Sequence, residues 1–398
     1  MAFEFVADAV AKRKAEHLFR TRHCVNSNKN GVIEIANQHY LNFASNDYLG
    51  LCQHEQVLQA FAEGLSLYGA GGSASSVVTG YTQEHQALED DICVMLNKPA
   101  ALLFSSGFSA NQAICHALFG SNNANGRIIC DKYMHASFIQ GALETQAPLK
   151  RYKHNDMQHL RKLLNDLPAH SLLATEGVFS MDGDIGDVHC IIKELHEAQG
   201  NDNHRPWVML DEAHAIGVLG DRGFGSLDLP SQDKHYVNSD NVNVVMGTFG
   251  KAVGTGGAFV AGPQVFIDYL VNYAKHYVYS TAFSGAQARA TRASLALIEA
   301  GEQRNTLHEN IALFRDLAKQ KQLPIMASLS AIQPIIVGAP ERAVAMSKRL
   351  ADLGLWVPAI RTPTVPKHTD RLRITLSAMH SSKDITALVD ALDMVFQA

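Results

Sequence analysis

Short apolar runs recur through the middle of the chain without alternating with polar residues. They are Ala101–Phe104, Arg127–Cys130, Leu172–Thr175, Trp207–Leu210, Val242–Met246 and Ala258–Ala261. A strand with one wet face alternates polar and apolar positions, whereas one covered on both faces does not, so these runs predict buried strands. Stretches with helical spacing, such as Ser109–Phe119 and Met157–Leu167, fall between them. Strand and helix in alternation predict an α/β domain around a mainly parallel sheet. Beyond about Ser284 the rhythm changes. A long helical stretch, Ala286–Ala300, leads into strands near Ile332–Val337 and Arg373–Leu376, accompanied by helices at Glu341–Leu353 and Lys383–Phe396. The pattern predicts three parts: an N-terminal helical segment over 1–45, a large α/β domain over 46–285, and a small α+β domain over 286–398. The start, MAFEFVADAVAKRKAEHLFRTR, reads as an amphipathic helix that fits against either domain.

Composition narrows the function classes. Of 398 residues, 46% are hydrophobic and 18% charged, enough to build a sizeable core. Lys and Arg number 34 against 39 Asp and Glu, a net charge of −5. That balance argues against non-specific nucleic-acid binding, which depends on neutralising phosphates. It leaves room for a local basic pocket. The six cysteines form no C-x-x-C pair, and free thiols in a reducing compartment are the expectation. The N-terminal stretch lacks the apolar run of a signal peptide, and no run has the length of a membrane span, so the cytoplasm is the expected location.

Five segments carry candidate chemistry. In WVMLDEAHAIGVLG, four apolar residues run into Asp211, which places a carboxylate at the C-terminal end of a buried strand. Ligands bind at that edge of open α/β sheets. Either Asp211 caps the following turn, or it faces a cation such as a protonated pyridine nitrogen. In VVMGTFGKAVGTGGAF, Lys251 follows a strand within a Gly-rich loop, and Thr248 offers a hydroxyl to a phosphate. A nucleotide P-loop is excluded because Ala252 follows the lysine. An exposed loop lysine remains the plain alternative. A lysine and an acid at the ends of two buried strands together match what pyridoxal phosphate (PLP) requires: a Schiff-base amine and a partner for the ring nitrogen. In ALLFSSGFSANQA, a strand meets a helix start at Gly107 and Phe108, where free N–H groups favour an anion. An ordinary capped β–α turn has the same pattern. RIICDKYMHASF puts His135 past another strand, able to stack on a pyridine face or bond a carboxylate, although a lone histidine is commonly structural. In LLATEGVFSMDGDIGD, Ser180 follows a strand within reach of ring substituents.

TEGVFSMDGD, LDEAHAIGVLG and TFGKAVGTGG resemble the α-oxoamine synthases, a branch of the fold-type I PLP-dependent transferases. SNDYLGL, GYTQEHQALE, SSGFSANQA and HASF match that family in the same order. The resemblance implies a large α/β domain with a smaller α+β C-terminal domain, in a homodimer with shared active sites. It implies a Schiff base on Lys251, Asp211 on the pyridine nitrogen, His214 on the phenolic oxygen and Ser180 as a further cofactor contact. His135 then stacks on the ring and touches substrate, so that Lys251, His135 and Asp211 form the catalytic set. Thr248, Gly107 and Phe108 correspond to phosphate contacts, and Ser280 and Thr281 to residues that reach the phosphate held by a second subunit. Arg20, Asn46, Arg361 and Thr364 correspond to substrate-facing positions, with Arg361 as the clamp for the amino-acid carboxylate. No metal is implied.

The activity implied is a decarboxylating condensation of an amino acid with an acyl thioester. GYTQEHQALE, YSTAFSGAQARA and RTPTVP with RLRITLSA are most similar to the branch that joins L-alanine to pimeloyl-CoA or pimeloyl-acyl-carrier protein in biotin synthesis. Sister reactions use glycine with acetyl-CoA or succinyl-CoA, or serine with a long acyl chain. A non-catalytic regulator on the same fold is expected to lack the lysine or the aspartate. Two departures stand out. The Gly-rich stretch GAGGSASSVVTG lacks an arginine common in the family, and Lys367-His368 follows TVP where a small pair is usual.

Overall fold

A computed structural model describes residues 2–120, 125–165, 167–199, 205–229 and 239–397. Seven strands form one sheet: Ala100–Phe104 (β1), Arg127–Asp131 (β2), Leu149–Tyr152 (β3), Ser171–Glu176 (β4), Trp207–Asp211 (β5), Val244–Thr248 (β6) and Ala258–Gly262 (β7). Their order is β1-β7-β6-β5-β4-β2-β3. Strand β7 runs antiparallel to β1 and β6, and the remaining neighbours are parallel. Every position of β1, β4 and β7 is buried, as expected for strands covered on both faces. Strand β3, LKRY, lies at the sheet edge with two exposed positions, and its polar sequence hid it from hydrophobic patterning. Because β1, β2, β4, β5 and β6 point the same way, their C-terminal ends collect Ser105, Asp131, Glu176, Asp211 and Thr248 at one edge. Helices Gly107–Phe119 (α1) and Ala136–Leu143 (α2) start from that edge.

The chain divides into two compact units, and their limits differ from the sequence-based ones. The larger comprises 51–180 and 185–304; the smaller comprises residues up to 50, 181–184 and those from 305. Helix Gly285–Ala300, expected in the small domain, packs along Glu55–Tyr68 within the larger unit. The backbones nearly touch: a Cβ on Gly64 would stand 2.5 Å from Ala286 Cα.

In the smaller unit the N-terminal segment is mostly β rather than helical. The helix covers Phe5–Ala15, and none of its residues is buried, so it has no buried apolar face. Strands Val25–Lys29, Val32–Ile35 and Gln38–Asn42 then form an antiparallel meander. Asn30 and Gly31 sit at φ +50° and +75°, the left-handed turn that Asn-Gly favours between paired strands. Leu355–Trp356 extends this sheet, and Ile332–Gly338, Asp370–Thr375 and Ala359–Ile360 form a second one. The excursion 181–184 belongs here because Arg371 pairs with Asp182 at 2.9 Å, and the hydroxyls of Ser328 and Ser330 both donate to Gly183 O at 2.8 Å. All six cysteines are free thiols. Among the described residues no helix is long and apolar enough to cross a membrane.

Candidate active site

In the larger unit Asp211 ends β5 with 3% of its surface exposed. Its Oδ1 accepts the Ala213 N–H at 3.0 Å, and its Oδ2 accepts from the Asn111 amide of α1 at 3.1 Å. The same amide nitrogen donates to Ser137 Oγ at 3.0 Å. Ser137 Oγ lies 2.7 Å from His135 Nδ1, which also receives the Ser137 N–H at 3.3 Å. A ring nitrogen that takes a backbone N–H is an acceptor. The serine hydroxyl therefore donates as well, and the His135 proton resides on Nε2. Burial holds the His135 pKa below its ordinary value; the Asp211 charge opposes this and the Lys251 charge reinforces it. The imidazole is thus neutral near pH 7, and both Asp211 and Lys251 lie close enough to act on it.

Next along the edge, α1 begins at Gly107 with Ser106 as its cap, whose Oγ accepts the Ser109 N–H at 3.2 Å. The first N–H groups of a helix, here including Gly107 and Phe108, have no acceptor within the helix and sit at its positive end. A Cβ on Gly107 would lie 3.6 Å from Thr248 Cβ, so this helix start adjoins the end of β6. Thr248 Oγ1 donates to Gly257 O at 2.9 Å. The half-buried Lys251 follows in a tight turn closed by the Gly254 N–H on Lys251 O at 2.8 Å. Gly254 is at φ +72°, and a Cβ there would lie 2.4 Å from Cys52 N, so no larger residue fits the lysine loop. Ser180 and His214 are buried in the same unit. Ser280 and Thr281 line a small cavity of about 20 Å³ with Ser105, His85 and Tyr277. A cavity of about 520 Å³ elsewhere on the unit is lined by Arg222, Arg289 and Arg292, but by none of these strand-end residues. Its arginines are paired with carboxylates.

The smaller unit brings together the remaining expected residues in two clusters. Arg20 Nη2 donates to Thr364 Oγ1 at 3.0 Å. Beside them Arg361 donates to His17 O and, at 3.3 Å, to Phe19 O, so the fork expected to clamp a carboxylate is turned to the backbone. In the second cluster Asn46 Oδ1 accepts from the Tyr48 hydroxyl at 3.2 Å and from Arg373 Nη1 at 3.4 Å. Arg373 is 6% exposed, and burial raises the Tyr48 pKa against the pull of that guanidinium. Asn111, Ser137, Glu176 and Arg373 were not singled out from sequence. Asn111 carried a signal all the same: it is a polar residue at core spacing beside Ala110 and Ile114.

Compared with known proteins, residues 38–392 match the family model for aminotransferase class I and II. The chain belongs to that family. It is 43% identical over 385 residues to the 8-amino-7-oxononanoate synthase of Aeromonas salmonicida, covering 96% of this chain and 93% of the relative. The solved 8-amino-7-oxononanoate synthase of Francisella tularensis superposes with a TM-score of 0.75 at 29% identity, over 90% of this chain and 98% of that one. A serine palmitoyltransferase solved with PLP superposes with a TM-score of 0.88 at 25% identity, over 99% and 97%. The fold is therefore that of the fold-type I PLP-dependent transferases, and the α-oxoamine synthase likeness drawn from the motifs holds over nearly the whole chain.

Proposed function

We propose that this PLP-dependent family member condenses L-alanine with a pimeloyl thioester, on CoA or acyl-carrier protein, releasing carbon dioxide and giving 8-amino-7-oxononanoate for biotin synthesis. The observation that carries the PLP reading is the shared sheet edge. A helix start suited to an anion, a hydroxyl, an amine and a buried carboxylate lie along it in the order of the cofactor's phosphate, aldehyde and ring nitrogen. The substrates rest on the relatives' names. These donors fit the group. Gly107 and Phe108 would hold its phosphate next to Thr248, whose own hydroxyl proton goes to Gly257 O. Lys251 would hold its aldehyde carbon, Asp211 its ring nitrogen and His214 its phenolic oxygen, with Ser180 a further contact. When bound, PLP supplies an electron sink for negative charge at the amino acid's α-carbon.

The chain's residues do the rest. Asp211 keeps a proton on the ring nitrogen through its charge, and Asn111 holds the carboxylate in place. Lys251 Nζ would accept the α-proton as general base. His135 is neutral with its proton on Nε2 and donates to a substrate carboxylate or the thioester carbonyl. The amino-acid carboxylate falls to Arg373 with Asn46, because Arg361 is committed to backbone carbonyls. Arg20, Thr364 and Arg361 serve the acyl chain or the product. We further assign a cytoplasmic homodimer in which Ser280 and Thr281 reach the phosphate held by the second subunit.

The test is initial rate, with the product identified by mass, for alanine against pimeloyl, acetyl, succinyl and palmitoyl thioesters in parallel. The pimeloyl donor is expected to win. Some leakage to glycine fits the proposal, since one methyl is worth only about 1–3 kcal/mol in a pocket. A clear win for acetyl or succinyl donors overturns the biotin assignment, and no turnover with any donor overturns catalysis itself.

A further inference from the structure

Glu176 takes no part in the reading above, yet it stands inside the same edge. It ends β4 as Asp211 ends β5, and the two are direct cross-strand partners. Asp131 ends β2, the next strand along. All three carboxyl groups are buried, but they are not equally served. Asp131 accepts the N–H groups of Tyr133 at 2.7 Å and Asn155 at 2.9 Å, and faces His154 Nδ1 at 3.0 Å. Asp211 has Ala213 and Asn111. Glu176 accepts the His135 N–H, while its Oε1 is buried with no hydrogen-bond partner. An ionised carboxylate needs several donors when removed from water, and a second carboxylate alongside opposes ionisation further.

We propose that Glu176 is a positioning residue of the active site, present as the neutral acid, which takes the His135 N–H and leaves Asp211 the single negative charge of that strand pair. This rests on the reading of His135 and Asp211 given above. His135 is the cap residue of α2 and its ring accepts the Ser137 N–H, so fixing its backbone also fixes the imidazole. The groups acting on Glu176 oppose one another, and burial is the largest of them. Burial raises its pKa well above the ordinary value, with the Asp211 charge adding to the rise. Lys251, after β6, and the His135 N–H pull it down, and Asp131 on β2 pushes it up again. Were Glu176 ionised, a second negative charge would sit beside Asp211 and draw a proton onto His135.

The test combines infrared spectroscopy with kinetics. Holoenzyme labelled with ¹³C in its glutamate carboxyls is compared with the equally labelled Glu176→Gln protein, at neutral pH and without substrate. The expected difference is a labelled, protonated-carboxyl C=O stretch lost in the variant; a difference confined to carboxylate bands overturns the proposal. In the kinetic arm Glu176→Ala, which removes the acceptor, lowers kcat by about tenfold, the scale of one buried hydrogen bond. Glu176→Gln restores an uncharged acceptor and recovers most of that loss, with the acid limb of kcat/KM in the wild-type position. A Gln variant as impaired as Ala, or one with a displaced acid limb, contradicts the neutral acid. The infrared arm needs no turnover, so its failure is distinct from failure of the condensation reading.

Discussion

Replacing Asn111 by Leu keeps the branched outline of the side chain, with bulkier methyl groups, while removing both donors of the buried amide. Asp211 Oδ2 loses its hydrogen bond at 3.1 Å and Ser137 Oγ loses the one at 3.0 Å. A hydrogen bond to a charged group contributes about 1.5–3 kcal/mol and a neutral one about 1. The amide Oδ1 of Asn111 is itself buried without a partner. Deleting that orphan acceptor returns roughly 1 kcal/mol, which offsets the neutral bond. The net loss is then the charged bond, about 1.5–3 kcal/mol, and it falls on the ionised form of Asp211 alone. Thermal melting should drop by about 3–12 °C, at 2–4 °C per kcal/mol for units of this size. The same change removes one of the bonds that orient the Asp211 carboxylate, so turnover should fall by about tenfold or more, the scale of one hydrogen bond to a charged group. Melting curves and initial rates of the two holoenzymes supply both readings. A folded Asn111→Leu protein that melts and turns over as the wild type does refutes the bridge from Asn111 to Asp211.

Asp211→Asn keeps the shape of the side chain and removes its charge; turnover should fall by about 10²-fold or more in a protein that still folds, and near-normal turnover would remove Asp211 from the mechanism. Arg373→Lys should raise the KM for alanine by about tenfold or more, since an ammonium does not reproduce the two-pronged fork, and an unchanged KM would move the carboxylate elsewhere. His380 makes stability depend on pH: its ring accepts the Ser377 N–H and donates to Asn42 O, both at 3.1 Å, and burial pushes its pKa down to about 4. The unfolded chain, with an ordinary histidine, binds the proton first, so stability should fall as pH drops from about 6.5 to about 4, by roughly 3 kcal/mol in all. Urea unfolding across that range should show the slope in the wild type and not in His380→Gln; equal slopes would contradict it.

The parts of the molecule that sequence revealed are those where one physical demand dominates. Strands covered on both faces must be apolar throughout, and β1, β2, β4, β5 and β7 appear within one residue of their apolar runs. Asp211 and Lys251 were legible because polar groups at the ends of buried strands need a reason to be there. The edge strand β3 answers to water on its outer positions and gave no such pattern. The N-terminal meander departs from the helical expectation because its hydrophobic spacing is weak, although Asn30-Gly31 marks the turn. Asn111, Ser137 and Glu176 were hidden for a different reason. Their roles come from partners far along the chain, Asp211 for both Asn111 and Glu176, and Asn111 for Ser137, and only the contact of Ser137 with His135 is local. The turning of Arg361 toward His17 and Phe19 is likewise a long-range contact.

The central claim is that Lys251 carries the cofactor, and chemical trapping tests it most directly. Purified protein with PLP is reduced with borohydride, digested, and its peptides are sequenced by mass spectrometry. The pyridoxyl label is expected on Lys251, within TFGKAVGTGG, and Lys251→Ala should lose both label and turnover. Recovery of the label on another lysine, or none on Lys251 in an active preparation, would contradict the account.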